Sequence, residues 1–230
     1  RMIFCPTFYW GDASDPGQRA YLDVIAHELD PAVLLFWTGD AVVTPRMSAD
    51  AGRRYRDVVR HDLFIWDNYP VNDDRPTMHL GPLTGRDPRL AEVAVGYMGN
   101  PMRRQNDLNR LALSTAADYA WDTAAYDPEQ AGGRAIERLA SSAEQREVLR
   151  DLVAAYPGML LFGQNQYFNP VRDQFERLRV TSRAEAGSFV AELRGVSDRF
   201  GRAFRDSCEA ERRTIGDDLA WMENALREAP

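Results

Sequence analysis

Polar residues crowd the end of one apolar run, in the segment LFIWDNYPVNDD at positions 63–74. The amides and carboxylates that follow Trp66 there are Asp67, Asn68, Asn72, Asp73 and Asp74. Adjacent carboxylates such as Asp73 and Asp74 could act as a general acid and a general base. Asp and Asn also bind ligand hydroxyls, and they form turns by hydrogen-bonding their own backbone. The segment therefore suggests either acid–base catalysis or recognition of a polar ligand.

The same pattern recurs after three other apolar runs, in the segments PTFYWGD (6–12), TGDAVV (38–43) and GNPM (99–102). Loops at the carboxyl ends of parallel strands build the binding sites of α/β proteins. Taken singly, each aromatic could be core and each Asp or Asn a turn former, but four successive clusters favour one site. The turns also lack the Gly-rich, basic sequence of a phosphate loop.

The chemistry of these clusters suits a neutral, hydroxyl-rich ligand. The groups predicted to bind hydroxyls are Asp67, Asn68, Asp73 and Asn100. The aromatic residues predicted to form apolar walls are Tyr9, Trp10, Trp37, Trp66 and Tyr69.

The elements that must position these residues follow from periodicity. Short apolar runs predict strands at 2–6, 32–37, 63–66 and 91–99. Between the first three runs, apolar residues recur at helical spacing, which predicts two helices. Ser14 or Asp15 is expected to cap the first of them. Strands that alternate with helices at this pitch predict parallel βα units.

Helical patterns then follow one another from about residue 103. A long helix is predicted over 103–123, another starts at the Asp-Pro of 127–128, and a Ser-x-x-Gln capping box begins a third at Ser142. The apolar residues predicted to form the core of this helical part are Phe175, Leu178, Phe189, Phe200, Phe204 and Trp221.

Composition excludes several classes of protein. With 230 residues, 44% of them hydrophobic, the chain can bury a large core. A net charge of −7 argues against nucleic-acid binding. All 28 basic residues are Arg, which we interpret as coding bias in a GC-rich genome rather than a demand for bidentate anion binding.

Neither a membrane span nor a secretory leader is recognisable, so a soluble protein is expected, bacterial cytoplasmic or secreted according to what precedes Arg1. Cys5 and Cys208 are far apart, without the spacing of a zinc site or a disulfide framework. Both are expected to be buried thiols, and neither a metal nor another cofactor is predicted.

Five segments, taken together, resemble the family 84 glycoside hydrolases, the O-GlcNAcases and hyaluronidase-like β-N-acetylglucosaminidases. These segments are FCPTFY (4–9), LLFWTGDAVV (34–43), IWDNYPVND (65–73), LGPLTGR (80–86) and MGNPM (98–102). The resemblance covers residues 2–125. It implies an α/β fold in which residues 1–135 are the C-terminal half, strands five to eight, of a TIM (β/α)8 barrel, followed by a helical bundle at 136–230.

The resemblance also implies an activity and a site. Family members remove terminal β-linked N-acetylglucosamine with retention, using the substrate's acetamido oxygen as the nucleophile. Carried over by motif, Tyr9 and Asn68 would serve the acetamido group, and Trp66 would wall the pocket for its methyl. Asp73 and Asn100 would bind sugar hydroxyls. Val43 would line the leaving-group side.

The acid–base pair of such an enzyme is an adjacent pair of aspartates after the fourth barrel strand, which would precede Arg1. Asp73 and Asp74 align with hydroxyl contacts instead, and Asp217–Asp218 is expected to lie on a solvated helix face. We therefore expect a half-enzyme without its own general acid, either a fragment or one chain of a split protein.

The expected partners are a GlcNAc-bearing glycan or glycoprotein and a polypeptide that covers the open half-barrel. That polypeptide would be an N-terminal half-barrel or a second copy of this chain; nucleic acid and membrane are not expected. The alternative is a non-catalytic module derived from that fold, which binds GlcNAc or a glycoprotein or serves as an interaction module.

Overall fold

The computed structural model of the chain describes residues 1–73, 77–160 and 168–228. Its sheet has four strands, β1 (Ile3–Phe4), β2 (Leu34–Trp37), β3 (Leu63–Asp67) and β4 (Ala94–Gly99). The strands lie in chain order and every neighbouring pair is parallel. The predicted α/β fold with parallel pairing is confirmed, and the carboxyl ends of all four strands meet at one edge of the sheet.

Two helices, α1 (Pro16–Glu28) and α2 (Ala49–Val59), follow the first two strands. Asp15, rather than Ser14, caps α1, because its side chain accepts a hydrogen bond from the backbone N–H of Gln18 at 2.9 Å. A short 3₁₀ helix, Pro88–Glu92, precedes β4.

The remaining helices are α3 (Asn109–Trp121), α4 (Pro128–Leu139), α5 (Ala143–Ala155), α6 (Pro170–Thr181), α7 (Arg183–Ala203) and α8 (Glu209–Glu228). The predicted start of α3 at 103 is wrong. Asn109 binds both backbone groups of Met102 through its side chain, and the N–H of Arg103 donates to Asn72 Oδ1 at 2.7 Å. Those backbone groups therefore pair with side chains instead of helical partners.

Side chains pack into two apolar clusters. One lies between the sheet and its helices and includes Leu35, Trp37 and Tyr55. The other joins the later helices, and there the predicted core aromatics are confirmed. Phe175, Phe200 and Phe204 are buried in it, and the partly buried Leu178, Phe189 and Trp221 pack against it.

Asp218 was predicted on a solvated helix face, and that prediction is wrong because its exposed fraction is only 2%. Its carboxylate accepts hydrogen bonds from Tyr156 Oη at 3.0 Å, Asn169 Nδ2 at 3.1 Å and Arg172 Nε at 2.7 Å. Buried carboxylates are tolerated when they are paired in this way. The neighbouring Asp217 is exposed, as predicted.

The face of the sheet opposite the first cluster carries an aromatic row. Phe36, Phe64 and Trp66 alternate with core residues along β2 and β3, and all three remain partly exposed. Their ring centroids are 5.9 Å apart for Phe36 and Phe64 and 5.4 Å apart for Phe36 and Trp66. None of the described helices is long and apolar enough to cross a bilayer.

The two cysteines differ in environment. Cys208 is buried as predicted, but Cys5 is exposed, so that part of the prediction is wrong. Cys5 follows the edge strand β1, whose two residues are themselves exposed. Burial raises the pKa of Cys208 to about 12, and partial desolvation raises the pKa of the exposed Cys5 thiol as well.

We expect a thiol reagent at pH 8 to label Cys5 in the folded chain and Cys208 only after unfolding, because the thiolate is the reactive species. The single variants Cys5→Ser and Cys208→Ser separate the two signals in a colorimetric thiol assay. Rapid labelling of folded Cys5→Ser would contradict the buried environment of Cys208.

Candidate functional site

The carboxyl end of the sheet holds a stacked aromatic pair. Tyr9, in the loop after β1, and Trp66, near the end of β3, have ring centroids 5.9 Å apart and planes 29° apart. The backbone carbonyl of Tyr9 accepts a hydrogen bond from Thr38 N at 2.8 Å, which ties its loop to the end of β2. Both rings are partly exposed and present an apolar surface.

An amide pair lies at the ends of β3 and β4. Asn100 Nδ2 donates to Asn68 Oδ1 at 2.8 Å, and Asn68 Nδ2 donates to the carbonyl oxygen of Val42 at 2.6 Å. Val43, the next residue, is partly buried. These contacts bring the loop that carries Val43 next to Asn68 and Asn100.

Asp73 is exposed, in the loop after β3. The preceding Asn72 is fixed by hydrogen bonds from its Nδ2 to the carbonyl of Thr77 at 2.7 Å and to Gln105 Oε1 at 2.8 Å. Asp74 lies outside the described residues. Binding of sugar hydroxyls by Asp73 stays a prediction, as do the roles of Tyr9, Val43, Trp66, Asn68 and Asn100.

Asp67 is not available to a ligand, so its predicted role in binding hydroxyls is wrong. Its two oxygens accept from Arg86 Nε at 2.7 Å and Nη2 at 2.5 Å, and Tyr97 Oη donates to Oδ2 at 2.6 Å. The side chains of Asp67 and Arg86 are each 1% exposed. Sequence reasoning missed Arg86 and Tyr97; the one available signal was an arginine that ends the LGPLTGR segment.

The electrostatics of this group are internally consistent. Burial alone lowers the pKa of Arg86, but the charge and hydrogen bonds of Asp67 outweigh it and raise that pKa. Burial, assisted by Asp67, raises the pKa of Tyr97 well above its usual range. Arg86 thus remains charged and Tyr97 remains a hydrogen-bond donor.

Two residues predicted as pocket walls belong to the core. Trp37 is fully buried, and its Nε1 donates to the carbonyl of Gly11 at 2.9 Å. Tyr69 is 1% exposed, and its hydroxyl donates to the carbonyl of Gly81 at 2.7 Å. Tyr9, Trp10 and Trp66 stay partly exposed at this end of the sheet.

A second group of carboxylates lies against α2. A cavity of about 230 Å³ is lined by Gly11, Asp12, Asp40, Ser48, Ala51 and Arg54. Hydrogen bonding to Ser14 lowers the pKa of Asp12, whereas burial raises the pKa of Asp40. Such divergence can mark an acid–base pair. The cavity shares no lining residue with the six predicted sugar contacts, so it is not part of that site.

A third group has the chemistry of metal ligands. Donor atoms of Asp107, Cys208 and Glu211 all lie within 4.8 Å of one another. Asp107 already accepts from the N–H of Cys208 at 2.6 Å, and Glu211 accepts from the N–H of Leu108 at 3.0 Å. We interpret this group as contacts between the starts of α3 and α8.

Comparison with known proteins identifies the family to which this chain belongs. Residues 1–154 match the family model described as beta-N-acetylglucosaminidase. Proteins named Protein O-GlcNAcase from Rattus norvegicus and Mus musculus are each 31% identical over 120 residues. That alignment covers 51% of this chain and 13% of each relative, so the chain corresponds to a small part of them.

Solved structures show the same fold. A point mutant of the Thermobaculum terrenum O-GlcNAc hydrolase has a TM-score of 0.70 at 23% identity, over 96% of this chain and 48% of that one. The protein CpGH84B has a TM-score of 0.68 at 24% identity, over 98% of this chain and 41% of that one. Since the family model covers residues 1–154 of 230, the chain belongs to the beta-N-acetylglucosaminidase family of glycoside hydrolases.

Proposed function

We propose that this chain supplies the sugar-binding half of a retaining, O-GlcNAcase-like β-N-acetylglucosaminidase. In this proposal β1 to β4 are strands five to eight of a (β/α)8 barrel within residues 1–135, and residues 136–230 form a helical bundle domain. One observation carries the proposal: the stacked Tyr9 and Trp66 lie at the same end of the sheet as the hydrogen-bonded Asn68 and Asn100. An apolar wall with a few placed polar groups is the usual form of a small-ligand site.

The proposed roles fit the hydrogen-bonding capacity that remains. Beyond its contacts with Asn100 and Val42, Asn68 keeps one amide hydrogen and one lone pair, because an amide carries two of each. Beyond its contact with Asn68, Asn100 keeps one amide hydrogen and its Oδ1 acceptor. Trp66 would pack on the acetamido methyl, with the Tyr9 hydroxyl close to the acetamido group. Asp73 and Asn100 would bind hydroxyls, and Val43 would line the leaving-group side. The substrate's acetamido oxygen would act as the nucleophile.

The general acid and base would come from outside these 230 residues. Asp67 is engaged by Arg86, and Asp73 is assigned to hydroxyl binding. The exposed aromatic row and the edge strand β4 support a further polypeptide segment that closes the barrel. Val95 and Met98 on β4 are 53% and 39% exposed, which suits such packing. That segment would be an N-terminal half-barrel, in the same polypeptide or another, or a second copy of this chain.

Replacing Trp66 with Ala is expected to weaken binding of N-acetylglucosamine at least tenfold, because burial of an aromatic against the ligand contributes ~1.5–3 kcal/mol. Chemical shifts of the chain during titration give the affinity. Trp121→Ala is the matched control, since Trp121 is 92% exposed and is not one of the predicted contacts. Glucose, which lacks the acetamido group, should bind more weakly than N-acetylglucosamine.

Equal binding of both sugars, or no binding of either, would contradict the proposed pocket.

Hydrolysis of 4-nitrophenyl β-N-acetylglucosaminide distinguishes the proposed enzyme from the non-catalytic module. We expect no turnover by the chain alone and turnover after addition of an N-terminal half-barrel. Turnover by the chain alone would refute the proposal that its general acid is missing. Sugar binding without turnover, both by the chain alone and with the N-terminal half-barrel, would favour the binding module.

A further inference from the structure

A buried ion pair lies directly behind the proposed sugar pocket. Asp67 stands between Trp66 and Asn68 in the chain, and alternate strand residues point to opposite faces. We propose that Asp67, Arg86 and Tyr97 are positioning residues that set the geometry of this pocket, an inference that rests on the proposed function. Each of the three residues acts through its neighbours and does not itself contact the ligand.

Arg86 joins two of the loops that form the pocket. Its Nε and Nη2 bind Asp67 in a two-pronged contact, while its Nη1 donates to the carbonyls of Pro45 at 3.2 Å and Thr84 at 2.8 Å. Pro45 belongs to the loop that carries Val42 and Val43. Asn68 donates to the carbonyl of Val42 in the same loop, so this loop is held against the end of β3 by two contacts, one from Asn68 and one from Arg86.

The backbone reinforces this connection. The N–H of Met47 donates to the carbonyl of Gly85 at 2.9 Å, and the N–H of Asp87 donates to the carbonyl of Met47 at 3.0 Å. Arg86 is therefore held on both sides against the loop after β2. A planar guanidinium fixed in this way restricts the orientation of its carboxylate partner as well as its distance.

Tyr97 extends the group to the fourth strand. Its hydroxyl binds Asp67 Oδ2 at 2.6 Å, and three residues further along the N–H of Asn100 donates to the carbonyl of Asp67 at 2.8 Å. Asp67 thus receives contacts from β4 through both its side chain and its backbone. A shift of this aspartate would move Trp66, Asn68 and Asn100 together, and small displacements of binding groups are costly to recognition.

The helical part of the chain contains a matched trio whose hydrogen bonds, among the described residues, include none of the six predicted sugar contacts. Tyr156 Oη and Arg172 Nε bind the buried Asp218 at 3.0 Å and 2.7 Å. Burial raises the pKa of Tyr156 and of Tyr97 well above the usual range, so both hydroxyls are donors. Replacement of either tyrosine by Phe removes one hydroxyl from a buried, arginine-paired carboxylate.

The experiment compares Tyr97→Phe with Tyr156→Phe in the full chain. Both should lower the melting temperature by similar amounts. Only Tyr97→Phe should shift the side-chain amide signals of Asn68 and Asn100 in a ¹⁵N-labelled sample, and only Tyr97→Phe should weaken N-acetylglucosamine binding, by three- to tenfold. Both comparisons are made well below the melting temperature of either variant.

The amide signals and the sugar titration fail independently. If the unaltered chain does not bind N-acetylglucosamine, but only Tyr97→Phe shifts the amide signals of Asn68 and Asn100, the proposed function is refuted. The positioning of the two amides by Tyr97 is then still supported. If the unaltered chain binds the sugar and Tyr97→Phe changes neither readout, the positioning role is refuted. Equal effects of Tyr156→Phe on both readouts would also refute it, because general loosening would then explain them.

Discussion

Replacing Arg86 with Met is expected to destabilise the folded chain by about 3–5 kcal/mol, among the largest effects that one substitution should have here. The side chain of Asp67 is 1% exposed, so its carboxylate would stay buried without the charge of Arg86. Tyr97 would still donate a hydrogen bond to it. The carbonyls of Pro45 and Thr84 would each lose a donor as well. Urea unfolding at pH 7, followed by circular dichroism, measures the change.

A double variant distinguishes the lost attraction between Arg86 and Asp67 from the cost of leaving the charge of Asp67 unpaired. Asp67→Asn combined with Arg86→Met should be less destabilised than Arg86→Met alone, because the neutral amide needs no counter-charge. Arg172→Met is the matched control. Arg172 is 35% exposed, and its partner Asp218 would keep Tyr156 and Asn169 as donors. A loss below about 1 kcal/mol for Arg86→Met would mean that the pair is not buried in solution.

The sheet and most helices could be predicted from the sequence because their signals are local. Apolar runs mark β2, β3 and β4, and Asp15 and Ser48 supply caps at the start of α1 and α2. The start of α3 could not be predicted in this way. Residues 103–108 have helical composition, but Asn109 binds the backbone of Met102, and Asn72 accepts from the N–H of Arg103, which is 31 residues further along the chain.

The site shows the same limit. Asp67 and Asp73 look alike in the sequence, yet Asp73 is exposed and Asp67 binds an arginine 19 residues further along the chain. Asp218 similarly meets a tyrosine 62 residues earlier. Sequence patterns identify which residue types gather at a strand end, but whether a carboxylate faces a ligand or a buried arginine depends on tertiary contacts. Resemblance to a family predicted the pocket residues, but it did not indicate the group formed by Asp67, Arg86 and Tyr97.

Gly85→Ala is expected to be the other severe substitution, with a loss of about 2–5 kcal/mol from backbone strain and overpacking combined. Gly85 has φ +74°, in the left-handed region that disfavours residues with a Cβ. A Cβ atom would also lie 2.2 Å from the carbonyl oxygen of Pro45, which is a backbone atom and cannot rotate away. The loop after β2 would have to move, and with it the contact between Arg86 and the Pro45 carbonyl.

Glycines in open positions provide the controls for this substitution. At Gly133 in α4 and Gly216 in α8, an added Cβ would meet no atom within 4 Å, so Ala there should stabilise the chain by ~0.5–1 kcal/mol. Opposite signs for Gly85→Ala and the two helical variants in thermal unfolding would support close approach of the two loops. A neutral Gly85→Ala would show that the Pro45 loop yields easily, and Arg86 would then hold the pocket less tightly than its contacts indicate.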